Sequence, residues 1–123
     1  MIWYIAAGSV LGGVSRYLLG GLIQRLLDTT FPAGTLVINV TGSFLLGAFL
    51  RYGVDTPTMG PEVRALLTIG FCGGFTTFST FAWETVRLAE TRGQLFALAN
   101  IAASTLLSLA AVLAGAALAK HLA

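Results

Sequence analysis

Charge is scarce in this chain. Of its 123 residues, seven are Lys or Arg and five are Asp or Glu, about 10% together, where a soluble domain carries roughly 25%. Histidine and cysteine occur once each and proline three times. With a single cysteine, Cys72, neither an intrachain disulfide nor a cysteine metal cluster is possible. The single histidine, His121, stands at the chain end, where it reads as solvated and leaves no Ser-His-Asp set. No glycine-rich loop runs into a lysine that would hold phosphates. The residues therefore do not suggest an enzyme. The basic residues are scattered, with a net charge of only +2 and no basic stripe, so nucleic acid is not an expected partner.

What the chain has in excess is hydrocarbon, with 56% of its residues hydrophobic. A chain this short cannot hide so much apolar surface in a core surrounded by water, so the lipid bilayer must solvate part of it. The expectation is an all-α membrane protein, a single four-helix transmembrane domain over residues 1–123, with spans at about 2–26, 34–51, 63–88 and 94–119. Met1-Ile2-Trp3-Tyr4 carries no basic leader, and no cleavage pattern follows its apolar stretch, so the first span reads as a retained helix rather than a signal peptide. The connections are short. The longest, 52–62, holds Pro57 and Pro61, and no soluble domain is expected beside the spans.

The third span carries an anomaly. Residues 65–83 are uncharged and about long enough to cross a bilayer. Yet Gly73-Gly74 followed by Phe75-Thr76-Thr77 weakens any helix at the middle of that run. An unpaired backbone group in hydrocarbon costs several kcal/mol, so a break there persists only against protein, an ion or water. The expectation is a third helix broken mid-membrane, beside an ion site.

Orientation in the membrane follows an excess of Lys and Arg on the cytoplasmic side. One face of this chain would carry Arg51, Arg64 and Lys120, the other Arg25, Arg87 and Arg92, with Arg16 inside the membrane. Three against three gives no instruction, so both orientations become plausible and with them an antiparallel homodimer. The alternative is one fixed orientation chosen by weaker cues. Small-residue pairs at Gly8 and Gly12, Ser43 and Gly47, and Gly70 and Gly74 would let helices approach closely.

Polar residues cluster on few positions of the spans. Asn39 stands alone in an apolar turn and either joins two helices or donates to an anion. Asn100, Ser104 and Ser108 share one helix face at four-residue spacing; the stripe serves either helix packing or a polar path. Thr76, Thr77, Ser79 and Thr80 lead to Glu84, beside Phe78 and Phe81, whose ring edges could face an anion or simply pack. Arg16 and Glu84 are the ionisable residues deepest in apolar sequence, and such groups are functional candidates by default. They line an access vestibule, or pair with each other or with loop carbonyls.

Three stretches carry a resemblance: Gly12-Gly13-Val14-Ser15-Arg16-Tyr17, Gly34-Thr35-Leu36-Val37-Ile38-Asn39-Val40-Thr41-Gly42, and Gly70-Phe71-Cys72-Gly73-Gly74-Phe75-Thr76-Thr77-Phe78-Ser79-Thr80-Phe81. In order and spacing the chain resembles the CrcB/Fluc family of fluoride channels. That resemblance implies an antiparallel dual-topology homodimer with two fluoride pores in a prokaryotic plasma membrane, and passive fluoride efflux that lowers cytoplasmic fluoride. It further implies a structural sodium ion (Na+) at the dimer centre, held by the carbonyls of Gly73 and Thr76 from both subunits. Asn39, Phe78 and Phe81 match the family's pore residues and Arg16 its vestibule arginine. Ser104 and Ser108 match its polar track, with Thr80 and Glu84 as neighbours. Asn100 departs from the pattern, since relatives carry tyrosine or histidine there. Two rival readings are a small dual-topology multidrug exporter, which would need a deep carboxylate where this first span holds Arg16, and a membrane scaffold that conducts nothing.

Overall fold

The computed structural model describes residues 1–122, and among them all regular structure is helical. Helix α1 runs Ile2–Leu27 and α2 runs Ala33–Asp55. The third span is built in pieces: α3 (Pro61–Ala65), a π-helical stretch Leu66–Cys72, α4 (Gly73–Phe75) and α5 (Phe78–Arg92). Helix α6 closes the order at Gln94–Leu122. By length and composition the four spans, Ile2–Leu27, Ala33–Asp55, Pro61–Arg92 and Gln94–Leu122, can each cross a membrane. Several run past the apolar stretch that marks them in the sequence. Helix α2, for instance, continues beyond Arg51 to Asp55, where the two side chains form an i,i+4 ion pair at 2.8 Å.

Each turn has a local cause. Helix α1 ends where Asp28 takes a left-handed conformation (φ 46°, ψ 53°), which a short polar side chain tolerates better than most. Gln24 then pins the connection, its Nε2 donating to the carbonyls of Thr29 (2.8 Å) and Phe31 (2.9 Å) while Oε1 accepts from the Gly34 amide (2.8 Å). Between α5 and α6 there is one residue, Gly93, at φ 98°, a backbone that suits glycine.

The helices meet through glycine. A Cβ on Gly8 or Gly12 of α1 would run into the carbonyl oxygens of Leu66 and Phe71, respectively. From the other side, Gly70 sits against the backbone of residues 5–9 and Gly74 against that of Ser9 and Gly13. On α2 and α6, a Cβ at Gly47 would strike the Val112 carbonyl and one at Gly115 the Phe44 carbonyl. Lipid offers no hydrophobic drive between helices, so such close backbone approach is how membrane helices gain packing energy. Helix α2 lies between α1 and α6, with its most extensive contact on α6, while α1 packs on α2 and on the first half of the third span.

The third span departs from an even helix in two places. Leu66–Cys72 is π-helical, which the residue pattern did not announce. The break itself falls on Thr76 (φ −88°, ψ 159°) and Thr77 (φ −150°, ψ 124°), both extended, whereas Gly73 remains helical at φ −63°. The paired glycines expected to weaken the helix do not open it. Gly74 serves the approach of α1 instead, its Cα side facing Ser9 and Gly13.

Gly12 and its neighbour Gly13 make a controlled comparison. A methyl at Gly13 would meet nothing within 4 Å, but one at Gly12 would meet a backbone carbonyl that cannot swing aside. Gly12→Ala is expected to destabilise the folded protein by about 3 kcal/mol, and Gly13→Ala to leave it unchanged or slightly stabilised. Thermal unfolding of both variants in the same detergent checks this.

Candidate functional site

At the break the backbone is held by side chains instead of by helix. Asn39, reaching from α2, holds both backbone polar groups of one residue: its Nδ2 donates to the Thr77 carbonyl at 2.9 Å, and its Oδ1 accepts from the Thr77 amide at 2.8 Å. The Thr77 hydroxyl caps α5, accepting from the Thr80 amide at 3.2 Å and donating to Thr80 Oγ1 at 3.1 Å. Arg16, from α1, donates through Nε to the Gly74 carbonyl at 3.2 Å. Of the two partners considered for Arg16 it takes the carbonyl; among the described residues it forms no ion pair with Glu84.

Four carbonyls, those of Gly73, Gly74, Phe75 and Thr76, lose their ordinary partners where the helix breaks, and Arg16 replaces the one lost at Gly74. In a continuous helix the Thr77 amide would close on Gly73 and the Thr80 amide on Thr76, but both amides are turned to side chains. The carbonyls of Gly73 and Thr76 are therefore left without their helical donors, and Gly73 is exposed on the protein's surface. Among the described residues no group of three His, Cys, Asp or Glu side chains could hold a metal. A cation at this point would meet backbone and hydroxyl oxygens, the donor type suited to hard ions.

Beside the break lies a groove of about 420 Å³. Asn39, Gly73, Thr76, Phe78, Phe81, Ser104 and Ser108 all line it. The rings of Phe78 and Phe81 are 5.5 Å apart and tilted by 53°. Phe78 is 79% exposed, so the groove is open on the side of that ring. A second hollow of about 280 Å³ gathers Arg16, Thr80 and Glu84 with Gln24 and Thr35. Thr77 lines both spaces and forms the partition between them. Glu84 Oε1 is buried without a hydrogen-bond partner, and the hollow around it has room for the water such an oxygen requires.

The family model described as "CrcB-like protein, Camphor Resistance (CrcB)" matches residues 3–116. The chain belongs to the CrcB family. Among its curated relatives is the "Fluoride-specific ion channel FluC" of Geobacter metallireducens, 44% identical over 118 residues, covering 96% of this chain and 95% of the relative. Proteins of the same name from Geobacter sulfurreducens (45% over 118 residues, 96% and 95% covered) and Koribacter versatilis (42% over 120 residues, 97% and 94% covered) are similar throughout. This CrcB chain is thus a multi-pass protein of a prokaryotic plasma membrane, set in a lipid bilayer, and not an enzyme.

Within this CrcB chain one candidate stands apart from the others. Asn100 lines neither space; it is 1% exposed, donates through Nδ2 to Thr85 Oγ1 at 2.9 Å and accepts from Ser104 Oγ at 3.2 Å. Its amide joins α6 to α5, the packing alternative for the polar stripe, while Ser104 and Ser108 reach the groove wall. Sequence reasoning missed Gln24 and Thr85. A glutamine in the last turns of an apolar span was a signal for the first, since an amide there must find partners. Thr85 gave none, because a single threonine in a helix commonly satisfies itself on the preceding turn.

The Asn39 clasp can be tested without changing shape. Asn39→Asp keeps the acceptor for the Thr77 amide but sets an oxygen against the Thr77 carbonyl. It is expected to lower stability by about 3 kcal/mol, measured by unfolding in detergent, with Asn39→Ala falling in the same direction.

Proposed function

We propose that this protein is a fluoride channel that lets fluoride leave the cytoplasm passively. Fluoride enters cells as the neutral acid and is trapped when it ionises inside, so a selective leak outward lowers its level. The observation that carries this reading is the groove, in which an amide, hydroxyls and two phenyl rings converge, in a chain whose relatives are named fluoride-specific ion channels. Fluoride is small and strongly hydrated; a path for it must replace water with donors at short range. Asn39 has a second Nδ2 hydrogen beyond the one given to Thr77, Ser108 supplies a hydroxyl, and Phe78 and Phe81 present positive ring edges. Ser104 contributes to the same wall, and beyond the Thr77 partition Thr80, Glu84 and Arg16 form the access side.

A second copy completes the pathway in this reading. The open side of the groove, with Phe78 almost bare, is where an antiparallel partner would sit. The even distribution of basic residues, three to each face, supports insertion in both orientations. At the centre of such a dimer the break would lie mid-membrane, and the Gly73 and Thr76 carbonyls of both subunits would hold a sodium ion. The donor set fits: two hard oxygens freed of their amides, one of them on an exposed residue. Bound there, sodium supplies positive charge and joins the two broken spans.

Reconstituted in liposomes, the protein is expected to release fluoride at least about a hundredfold faster than chloride, a difference of roughly 3 kcal/mol in barrier; equal rates would sink the reading. Phe81→Ala should slow fluoride efflux by about tenfold or more with the oligomer intact on size-exclusion chromatography. Replacing sodium by a large organic cation should lower the melting temperature of the dimer. A melting temperature indifferent to sodium would remove the ion from the proposal and leave the channel reading standing.

A further inference from the structure

Three polar side chains beside the groove are joined in a line whose direction follows from counting protons. The Thr85 hydroxyl lies 2.7 Å from the Phe81 carbonyl, which can only accept, so the one hydroxyl proton of Thr85 is spent there. The Thr85 oxygen is left to accept, and the atom facing it at 2.9 Å is accordingly the NH₂ end of Asn100. The opposite end of that amide, Oδ1, lies 3.2 Å from Ser104 Oγ and can only accept. The single proton of Ser104 is therefore spent on Asn100.

We propose that Asn100 is a positioning residue that holds the Ser104 hydroxyl proton away from the groove, so that Ser104 shows a passing anion only lone pairs while Ser108 remains the serine donor of that wall. Asn100 is 1% and Ser104 8% exposed. Turning the Ser104 proton into the groove would strand Oδ1 in dry packing, and an unmade buried bond is costly. Thr85 sets the polarity of the whole line from the far end, though it lines neither the groove nor the hollow. Two serines four residues apart on one helix face thus have opposite hydrogen-bond characters. The inference rests on the fluoride-channel reading and adds to it which hydroxyl serves the ion.

Efflux from liposomes reads the direction of the line. In the native background, Ser104→Ala should slow fluoride efflux by less than about threefold, because no donor to the ion is lost. Thr85→Val leaves Asn100 and Ser104 in place but frees the amide to reverse, so its NH₂ can meet the Ser104 oxygen and release the Ser104 proton to the groove. In that background Ser104→Ala should slow fluoride efflux by about tenfold or more, the loss expected for a donor to a charged group. Asn100→Leu, close in shape, should sensitise Ser104 in the same way. An equal effect of Ser104→Ala in all three backgrounds would overturn the proposal.

Melting temperatures in detergent, read on the same proteins, guard against variants that merely fold poorly. Asn100→Leu and Ser104→Ala should lose less together than the sum of their separate losses, since each breaks the same bond. Additive losses would mean that the two side chains are not bonded, and would overturn the proposal even with normal fluoride flux. A native protein that passes no fluoride sinks the channel reading, and the melting cycle still decides whether the Ser104 proton belongs to Asn100.

Discussion

The grip of Asn39 on the backbone amide and carbonyl of Thr77 is the constraint on which the rest of the site depends. An extended pair of residues inside an apolar span leaves amides and carbonyls that lipid cannot serve. One side chain with a donor and an acceptor on the same planar group matches the backbone N–H and C=O of one extended residue. The Thr77 hydroxyl and the Arg16 guanidinium then serve the flanking groups. Among the carbonyls they do not serve are those of Gly73 and Thr76, oxygens left for another partner. The break is thus a rearrangement of hydrogen bonds with a defined remainder.

Glycine sets the second condition. Side chains from α1 and α2 can reach the break only because those helices lie close to the third span. They lie close because Gly8, Gly12, Gly70 and Gly74 remove the Cβ atoms that would hold the backbones apart. Gly42 does the same at the site itself, where a Cβ would collide with the Thr76 methyl. Packing and site chemistry are in this way one arrangement. The glycines bring a polar side chain within hydrogen-bond range, and the hydrogen bonds fix the irregular backbone that the glycines shelter.

Much of this was legible in the residues, for physical reasons. Four apolar runs of membrane length leave few alternatives to four spans, and a run that mixes Gly73-Gly74 with Thr76-Thr77 points to irregular backbone. The seven residues brought together at the groove were each singled out by being polar or aromatic in apolar surroundings, or by the motif they share. The sequence did not reveal which local residues open the helix: glycines are permissive both of breaks and of close packing, and here Gly73 and Gly74 stay helical while the threonines extend. The π-helical turn was invisible too, since Leu66–Cys72 differs from an α-helix only in hydrogen-bond register. Asn100 illustrates the limit most clearly. Its spacing with Ser104 and Ser108 places it on the right face, but whether an amide serves a pore or a neighbouring helix depends on what stands opposite. Opposite it stands Thr85, fifteen residues away in the chain.

The one-residue link at Gly93 bears on how the chain enters the membrane. Two apolar helices joined so tightly form one hairpin, because a single residue returns the chain across the membrane. Entering as a hairpin, they carry Arg87, Glu90 and Arg92 together with the turn to one face, opposite Lys120. The side that receives this turn fixes the side that receives Lys120, so the final half of the protein has one orientation to choose, not two.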